Sequence, residues 1–323
     1  MGGSTLASES RPQVSIVLPA WNRLPYLRLA VESVFAQTFA DWELVIADDG
    51  SEGETAGYLT GLAAAPRVRV LRLRHSGKPG VARNAAWRAA RGELIAFLDS
   101  DDVWLPRKLQ VQVAALRARP DRAWSHTAFA VIGEDGELLS GQRARSWPAA
   151  QGWILEGLVR MQIVIAIPSV LVRRSALEAL DGFDESLSMC EDYDLWLRLA
   201  RTGQILGVPD LLLHVRSHRE HFHRDAGVFA GRLRALEKML AAGTEPSLRA
   251  LLQHERARVA AGLARSQALQ ASRGAALRTL IRSWPYSWSY RDWWLKGAEA
   301  AARALTPVSV QRMARAVVGR GRI

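Results

Sequence analysis

The stretch that most limits how this chain can fold is Leu94-Ile95-Ala96-Phe97-Leu98-Asp99-Ser100-Asp101-Asp102. Five apolar residues in a row read as a buried strand, and three carboxylates within four positions end it. Burying a lone carboxylate is far costlier than exposing it, so the acids must stand at the strand's carboxyl end. In an open α/β sheet that edge is where ligands bind. Residues i and i+2 of an extended segment point the same way, so Asp99 and Asp101 face one target. A hard divalent cation suits them, because Mg²⁺ or Mn²⁺ takes oxygen ligands from one or two carboxylates together with substrate phosphates. A solvated turn leading into the next helix is the alternative, and the placement directly after a buried strand weighs against it.

Elements of the same kind precede this strand. Val14-Ser15-Ile16-Val17-Leu18, closed by Pro19, and Glu43-Leu44-Val45-Ile46-Ala47-Asp48 predict two more buried strands. Val68 to Leu73 alternates as a further strand. Helical spacing is expected over Pro25 to Thr38 (Leu27, Ala30, Val31, Val34 and Phe35 on one face), over Glu52 to Ala64, and from Pro79 through Arg83, Asn84 and Trp87 to Gly92. Strand and helix alternating at short spacing predict a parallel sheet covered by helices. After Trp104 come an amphipathic helix from Pro106 to Arg119, a strand from Ala123 to Ile132, and a hairpin signal at Glu134-Asp135-Gly136-Glu137. A polar loop is expected over Arg143 to Gly152, a short strand over Ser169 to Val172, and a helix over Asp192 to Ala200.

Charge divides the chain. The net charge of +11 over 323 residues is confined to the last third: residues 1–225 hold 26 Lys+Arg against 27 Asp+Glu, and residues 226–323 hold 17 against 5. Two parts with different partners are expected, a domain over 13–225 and a basic, tryptophan-containing helical region over 226–323, with 1–12 as a disordered leader. One cysteine, Cys190, excludes an intramolecular disulfide and fits a reducing cytoplasm. No signal-peptide pattern opens the chain. Ile163 to Val172 is too short to span a bilayer.

Several residues admit two readings. Asp48-Asp49-Gly50-Ser51 is either an ordinary turn or a second acidic strand end facing the same crevice. Asp192 is either a helix-start acid favoured by the dipole or a general base aimed into the cleft. Arg83 either contacts a phosphate or forms a surface pair. His214, His218, His221 and His223 lack the cysteine or His-Glu-x-x-His pattern of a zinc site. A phosphate- or metal-facing loop using Arg216 and His218 is the preferred reading of that segment. Gly77-Lys78-Pro79-Gly80 does not have the spacing of a phosphate-binding P-loop.

In order along the chain, Val14 to Asn22, Val45 to Ser51, Gly80-Val81-Ala82-Arg83-Asn84, Phe97 to Asp102, Gly182-Phe183-Asp184-Glu185 and Glu191 to Trp196 together resemble family 2 glycosyltransferases of the GT-A fold. The resemblance runs from about Val14 to His218. It implies an α/β, Rossmann-like domain with a mostly parallel central sheet flanked by helices, followed here by a C-terminal helical extension. It also implies metal-dependent, inverting transfer from a nucleotide-diphosphate sugar, a UDP-sugar by preference. Under it, Pro19, Ala20, Asn22 and Asp49 line the donor pocket, Arg83, Asp99 and Arg216 help to hold the donor, and Asp101, Asp99 and His218 belong to a Mn²⁺ or Mg²⁺ site. Asp192 matches the catalytic base. Members that polymerise processively carry a Gln/Arg-x-x-Arg-Trp motif and transmembrane helices; neither is present, so single-sugar transfer to a glycan or lipid-linked acceptor is expected. A sugar nucleotidyltransferase and a catalytically silent nucleotide-sugar-binding module are the rival readings.

In the basic region, Trp284, Trp288, Trp293 and Trp294 stand near Arg282, Arg291 and Lys296, with Arg303, Arg312, Arg315, Arg320 and Arg322 following. Contact with an anionic membrane surface is expected, placing a cytoplasmic protein at the inner face of the plasma membrane. A helical lid is the other reading, and nucleic acid is not an expected partner.

Overall fold

Residues 11–139, 146–217, 226–270 and 272–305 are described in the computed structural model. The expected strands form where apolar residues are continuous. β1 (Val14–Ala20) is buried almost throughout because it lies between two parallel neighbours, β2 (Trp42–Asp48) and β4 (Leu94–Phe97). β3 (Val68–Arg72) pairs parallel with β2 at the sheet edge, where its arginines reach solvent. Helices α1 (Leu24–Phe35), α2 (Gly53–Leu62) and α3 (Pro79–Ala89) make the crossovers. Leu27, Ala30, Val31 and Val34 of α1 are buried as the spacing requires, but Phe35 is not. Phe35 sits at the helix end and meets Trp42 edge-on, with ring centroids 5.6 Å apart.

Beyond Leu98 the chain turns through Asp99 to Asp102 into a two-residue strand, β5 (Val103–Trp104), and then α4 (Lys108–Ala118). β6 (Trp124–Ile132), β7 (Ser146–Trp147), α5 (Leu155–Val159), β8 (Val170–Arg173), α6 (Arg174–Ala179), α7 (Glu191–Thr202) and β9 (Leu206–Arg216) complete this part. Among the described residues nine strands form one sheet in the order β3-β2-β1-β4-β8-β6-β9-β5, with β7 paired to β6. The long ladders are parallel; β8, β5 and β7 pair antiparallel.

Two expectations are corrected. The part of the expected 143–152 loop that is described is tied down: Ser146–Trp147 pairs with β6, Gly152 bridges Ile205, and the Ala150 amide donates to His126 at 2.8 Å. The eleven-residue β9 is not anticipated by periodicity, because exposed Pro209 and Asp210 are skipped between Val208 and Leu211 and shift its register against β6.

The chain divides into two compact units, Met1–Arg219 and Glu220–Ile323, near the compositional break. The second contains α8 (Ala226–Ala241), α9 (Pro246–Leu269), α10 (Arg273–Ser287) and α11 (Arg291–Leu305). Small residues let these helices approach closely. A Cβ on Gly262 of α9 would lie 2.5 Å from the Phe229 ring of α8. Trp293 is buried with Ala257 and Ala261, its indole donating to Ser283 Oγ at 3.0 Å. No described helix is long and apolar enough to cross a membrane.

Candidate active site

The carboxyl ends of β2 and β4 and the start of α7 supply the acids singled out from sequence, beside the carboxyl end of β1. Pro19 and Ala20 close β1, pairing with Ala47 and Asp48 of β2. Asn22, in a left-handed conformation, braces the turn that follows β2. Its amide donates to Ser51 Oγ at 2.8 Å and its side-chain oxygen accepts from the Glu52 amide at 3.1 Å.

Asp48 and Asp49 have different tasks. Asp48 holds its own turn, accepting from the Ser51 amide at 2.9 Å and from Arg72 at 3.2 Å. Asp49 is buried and anchors the loop after β3: it accepts from Ser76 N at 2.9 Å, Ser76 Oγ at 3.0 Å and Gly77 N at 2.9 Å. His75 of the same loop stacks on Trp21, which is 51% exposed, with centroids 4.6 Å apart. An aromatic shelf therefore lies beside Asp49.

Asp99 and Asp101 keep partial exposure at 28% and 22% of their side chains. Burial and the repulsion of Asp101 raise the Asp99 pKa despite the opposing Arg83. Asp102 is buried and also raised well above the usual carboxylate range, by burial first and then by Asp101 and Asp99. Asp99 and Asp101 offer two partly exposed hard oxygen donors on one loop, a pair that fits Mn²⁺ or Mg²⁺ where other oxygens complete the shell. Among the described residues no three His, Cys, Asp or Glu side chains make a complete cage. Asp99 and Asp101 would need further oxygens, such as those of a diphosphate. His218, the third expected metal ligand, lies outside the described residues, as do His221 and His223.

Arg83 is not the surface pair that one reading allowed. It is buried on α3 and donates to Asp99 Oδ1 at 2.7 Å and to Glu191 Oε1 at 2.5 Å. Burial opposes its charge, yet Asp99 and Glu191 hold its pKa above the ordinary value. Glu191, which sequence reasoning left without a role, is thus tied through Arg83 to the Asp-x-Asp segment, joining the start of α7 to it. The helix entry is shaped by Cys190 in a left-handed conformation.

Asp192 follows in the first turn of α7. Its Oδ1 accepts from the Tyr193 amide at 2.7 Å. Burial first, and then the adjacent Glu191 carboxylate, push its pKa up to about 7, against the pull of Arg83 and the Tyr193 amide. A carboxyl poised there can take a proton near neutral pH.

The α7 entry is held by the preceding turn. Asn84 Nδ2 donates to the Phe183 carbonyl at 2.8 Å, and Asn84 Oδ1 accepts from Phe183 N at 2.9 Å and Trp87 Nε1 at 2.8 Å. Arg198 pairs with Asp194 at 2.8 Å and donates to the Leu180 and Gly182 carbonyls, each at 2.8 Å.

Arg216, expected to help hold the donor, is bonded to the acidic loop. Its amide donates to Asp102 Oδ1 at 2.7 Å and its Nε to the Asp101 carbonyl at 2.9 Å. Its Nη1 donates to the Gly133 and Glu134 carbonyls at 2.9 and 3.0 Å. These bonds brace the acidic loop from β9. Arg23, missed from sequence, reaches Asp101 Oδ2 at 3.4 Å from the start of α1, where a left-handed backbone directs it; no local pattern marks such a residue. An open hollow of about 720 Å³ lies at the opposite end of the sheet, lined by Arg11, Arg117 and Arg173 among others, and is remote from these acids.

A sheet of this order, with acids gathered at its carboxyl edge, is the arrangement of the GT-A fold. The solved structure of S. aureus TarS 1-349 in complex with UDP-GlcNAc superposes with a TM-score of 0.67 at 17% identity, covering 94% of this chain and 92% of that one. A mannosyltransferase, PcManGT of Pyrobaculum calidifontis in complex with GDP-Man and Mn²⁺, gives 0.57 at 18% identity, covering 94% and 88%. Residues 15–177 match the family described as Glycosyl transferase family 2, and the chain belongs to that family. Chondroitin synthase of Escherichia coli is 35% identical over 211 residues, covering 65% of this chain and 30% of that protein. The chain matches about a third of the length of such curated relatives.

Proposed function

We propose that this glycosyltransferase transfers a single sugar, with inversion, from a nucleotide-diphosphate sugar to a hydroxyl of a glycan or lipid-linked acceptor in cell-surface polysaccharide or glycolipid assembly. The observation that carries the proposal is Asp192, held at the helix start beside the Arg83–Glu191 pair with its pKa near neutrality. The names of the relatives support a polysaccharide context, and the UDP-GlcNAc held by TarS favours a UDP-sugar donor.

In this reading the base and ribose lie against Pro19, Ala20 and the Trp21–His75 shelf, with Asp49 holding the shelf's loop in place. Asp99 and Asp101 would hold Mn²⁺ or Mg²⁺, which supplies charge stabilisation to the departing diphosphate. Arg83 fixes the direction of Asp99, and Arg216 holds the Asp101 backbone and the Asp102 side chain. Asp192 accepts the proton of the acceptor hydroxyl while that oxygen attacks the anomeric carbon from the side opposite the diphosphate. The sugar then passes through an oxocarbenium-like transition state.

A thermal-shift screen of nucleotide-diphosphate sugars with and without Mn²⁺ tests the donor site. One nucleotide series should stabilise the protein in a metal-dependent way, by about 2.7 kcal/mol at ~100 times the dissociation constant. NMR of the product from that donor should show the opposite anomeric configuration. Stabilisation by no donor, or retained configuration, overturns the proposal.

A further inference from the structure

Helices α10 and α11 carry an apolar face that their own packing does not use. Ile281, Trp284 and Trp288 recur at i, i+3 and i+7, a single helical stripe, and are 72%, 48% and 60% exposed. Trp294 and Leu295 near the start of α11 are 46% and 64% exposed. The Trp284 and Trp294 rings meet edge-on at 5.1 Å, and Trp294 Nε1 donates to the Trp288 carbonyl at 2.7 Å, so the two helices present one continuous patch. Trp293, by contrast, is the tryptophan that fills the interior of this unit.

Scattered exposed apolar residues are ordinary, but a contiguous patch marks an interaction surface. Its chemistry is specific. Arg278, Arg282 and Arg291 are exposed around it, and residues 226–323 carry 17 Lys+Arg against 5 Asp+Glu. Indole rings favour the interfacial layer of a bilayer, aliphatic side chains lie just beneath, and cations meet anionic headgroups.

We propose that this face of α10 and α11 docks the protein on an anionic lipid bilayer, lying in the headgroup layer without crossing it. Charge selects this occupant: a second copy would set like charges together, and a nucleic acid would leave Ile281 and Leu295 against phosphates. The inference deepens the lipid-linked acceptor reading and rests on it for its purpose, while the docking itself does not depend on transfer.

Co-sedimentation of the full chain with phosphatidylcholine vesicles, with and without phosphatidylglycerol, tests it. Binding should require the anionic lipid and fall with salt. Ile281→Ser with Trp288→Ser should weaken it about tenfold or more. Arg278→Glu with Arg282→Glu should weaken it similarly, roughly fivefold per cation removed. Both variants should keep the far-UV circular dichroism of the parent and its turnover of a water-soluble acceptor. Lack of binding, binding indifferent to lipid charge, variants that bind like the parent, or a Trp288-dependent dimer or single-stranded RNA complex in its place each overturn the proposal. Vesicle binding that responds to both variants in a protein without donor turnover would support the docking face and refute the transfer reading alone.

Discussion

Arg83 Nη2 lies 2.7 Å from Asp99 Oδ1, so the loop that leaves the last strand of the parallel half-sheet is bonded directly to a buried guanidinium on α3. The same guanidinium holds Glu191 at the start of α7. One cation therefore joins the segment expected to bind the donor with the helix that carries Asp192.

Removing that cation should be felt in stability as well as activity. Arg83→Ala leaves two acids without their shared partner, and breaking a buried pair costs about 3–5 kcal/mol. Because Asp99 keeps some exposure, the lower end of that range is expected. Arg83→Lys should fall between parent and alanine variant, since a point charge cannot serve both carboxylates. Urea unfolding measures the difference, and a change within about 0.5 kcal/mol would contradict the role.

Asp192 should set the pH dependence. As a base it works deprotonated, so kcat/KM should rise with pH through about 7 and level off above it. Asp192→Asn should lower transfer by about 10²–10⁴-fold and abolish that limb while retaining donor binding. The sign for stability is opposite. A carboxyl raised from 3.8 to about 7 binds more proton in the folded than in the unfolded state between those values. Its contribution is therefore present at low pH and lost as pH rises through about 7. Asp192→Asn should flatten this slope in denaturation curves taken from pH 4 to 8.

Asp101→Ala should separate metal from base. Titration calorimetry with donor and Mn²⁺ should show metal-dependent binding in Asp192→Asn and none in Asp101→Ala. Unchanged binding by Asp101→Ala would remove that residue from the metal site.

The turn before α7 gives a steric test. Gly182 has φ +65°, and a Cβ there would lie 2.5 Å from Trp87 Nε1 and 2.6 Å from Asn84 Oδ1. Gly182→Ala should cost about 2–4 kcal/mol, from the left-handed backbone together with overpacking. Gly53→Ala, at φ +56° with open space around it, should cost only about 1–2 kcal/mol. Equal midpoints for the two variants in thermal unfolding would sink the steric argument.

The sequence alone determined the parallel half of the sheet and the positions of its acidic ends. A strand buried on both faces must be mostly apolar, and the acids that follow its apolar run mark the ligand edge of the sheet, as at Leu98-Asp99 and Ala47-Asp48. Glu43, by contrast, is buried inside β2 because Ser15 and Arg91 bond to it. Helical spacing likewise located α1, α3, α4 and α7, and the uneven charge drew attention to the tryptophan-rich end. Only the tertiary structure decided what those acids touch. Arg83 and Glu191 are 108 residues apart, Arg216 and Asp102 are 114 apart, and no local pattern encodes either bond. β5 is two residues long and exists because β9 lies beside it; β9 itself is hidden by its bulge at Pro209 and Asp210. Periodicity reports which side of a segment is buried. It does not report which distant segment buries it, and at this edge the chemistry of Asp99, Asp102 and Asp192 depends on that neighbour.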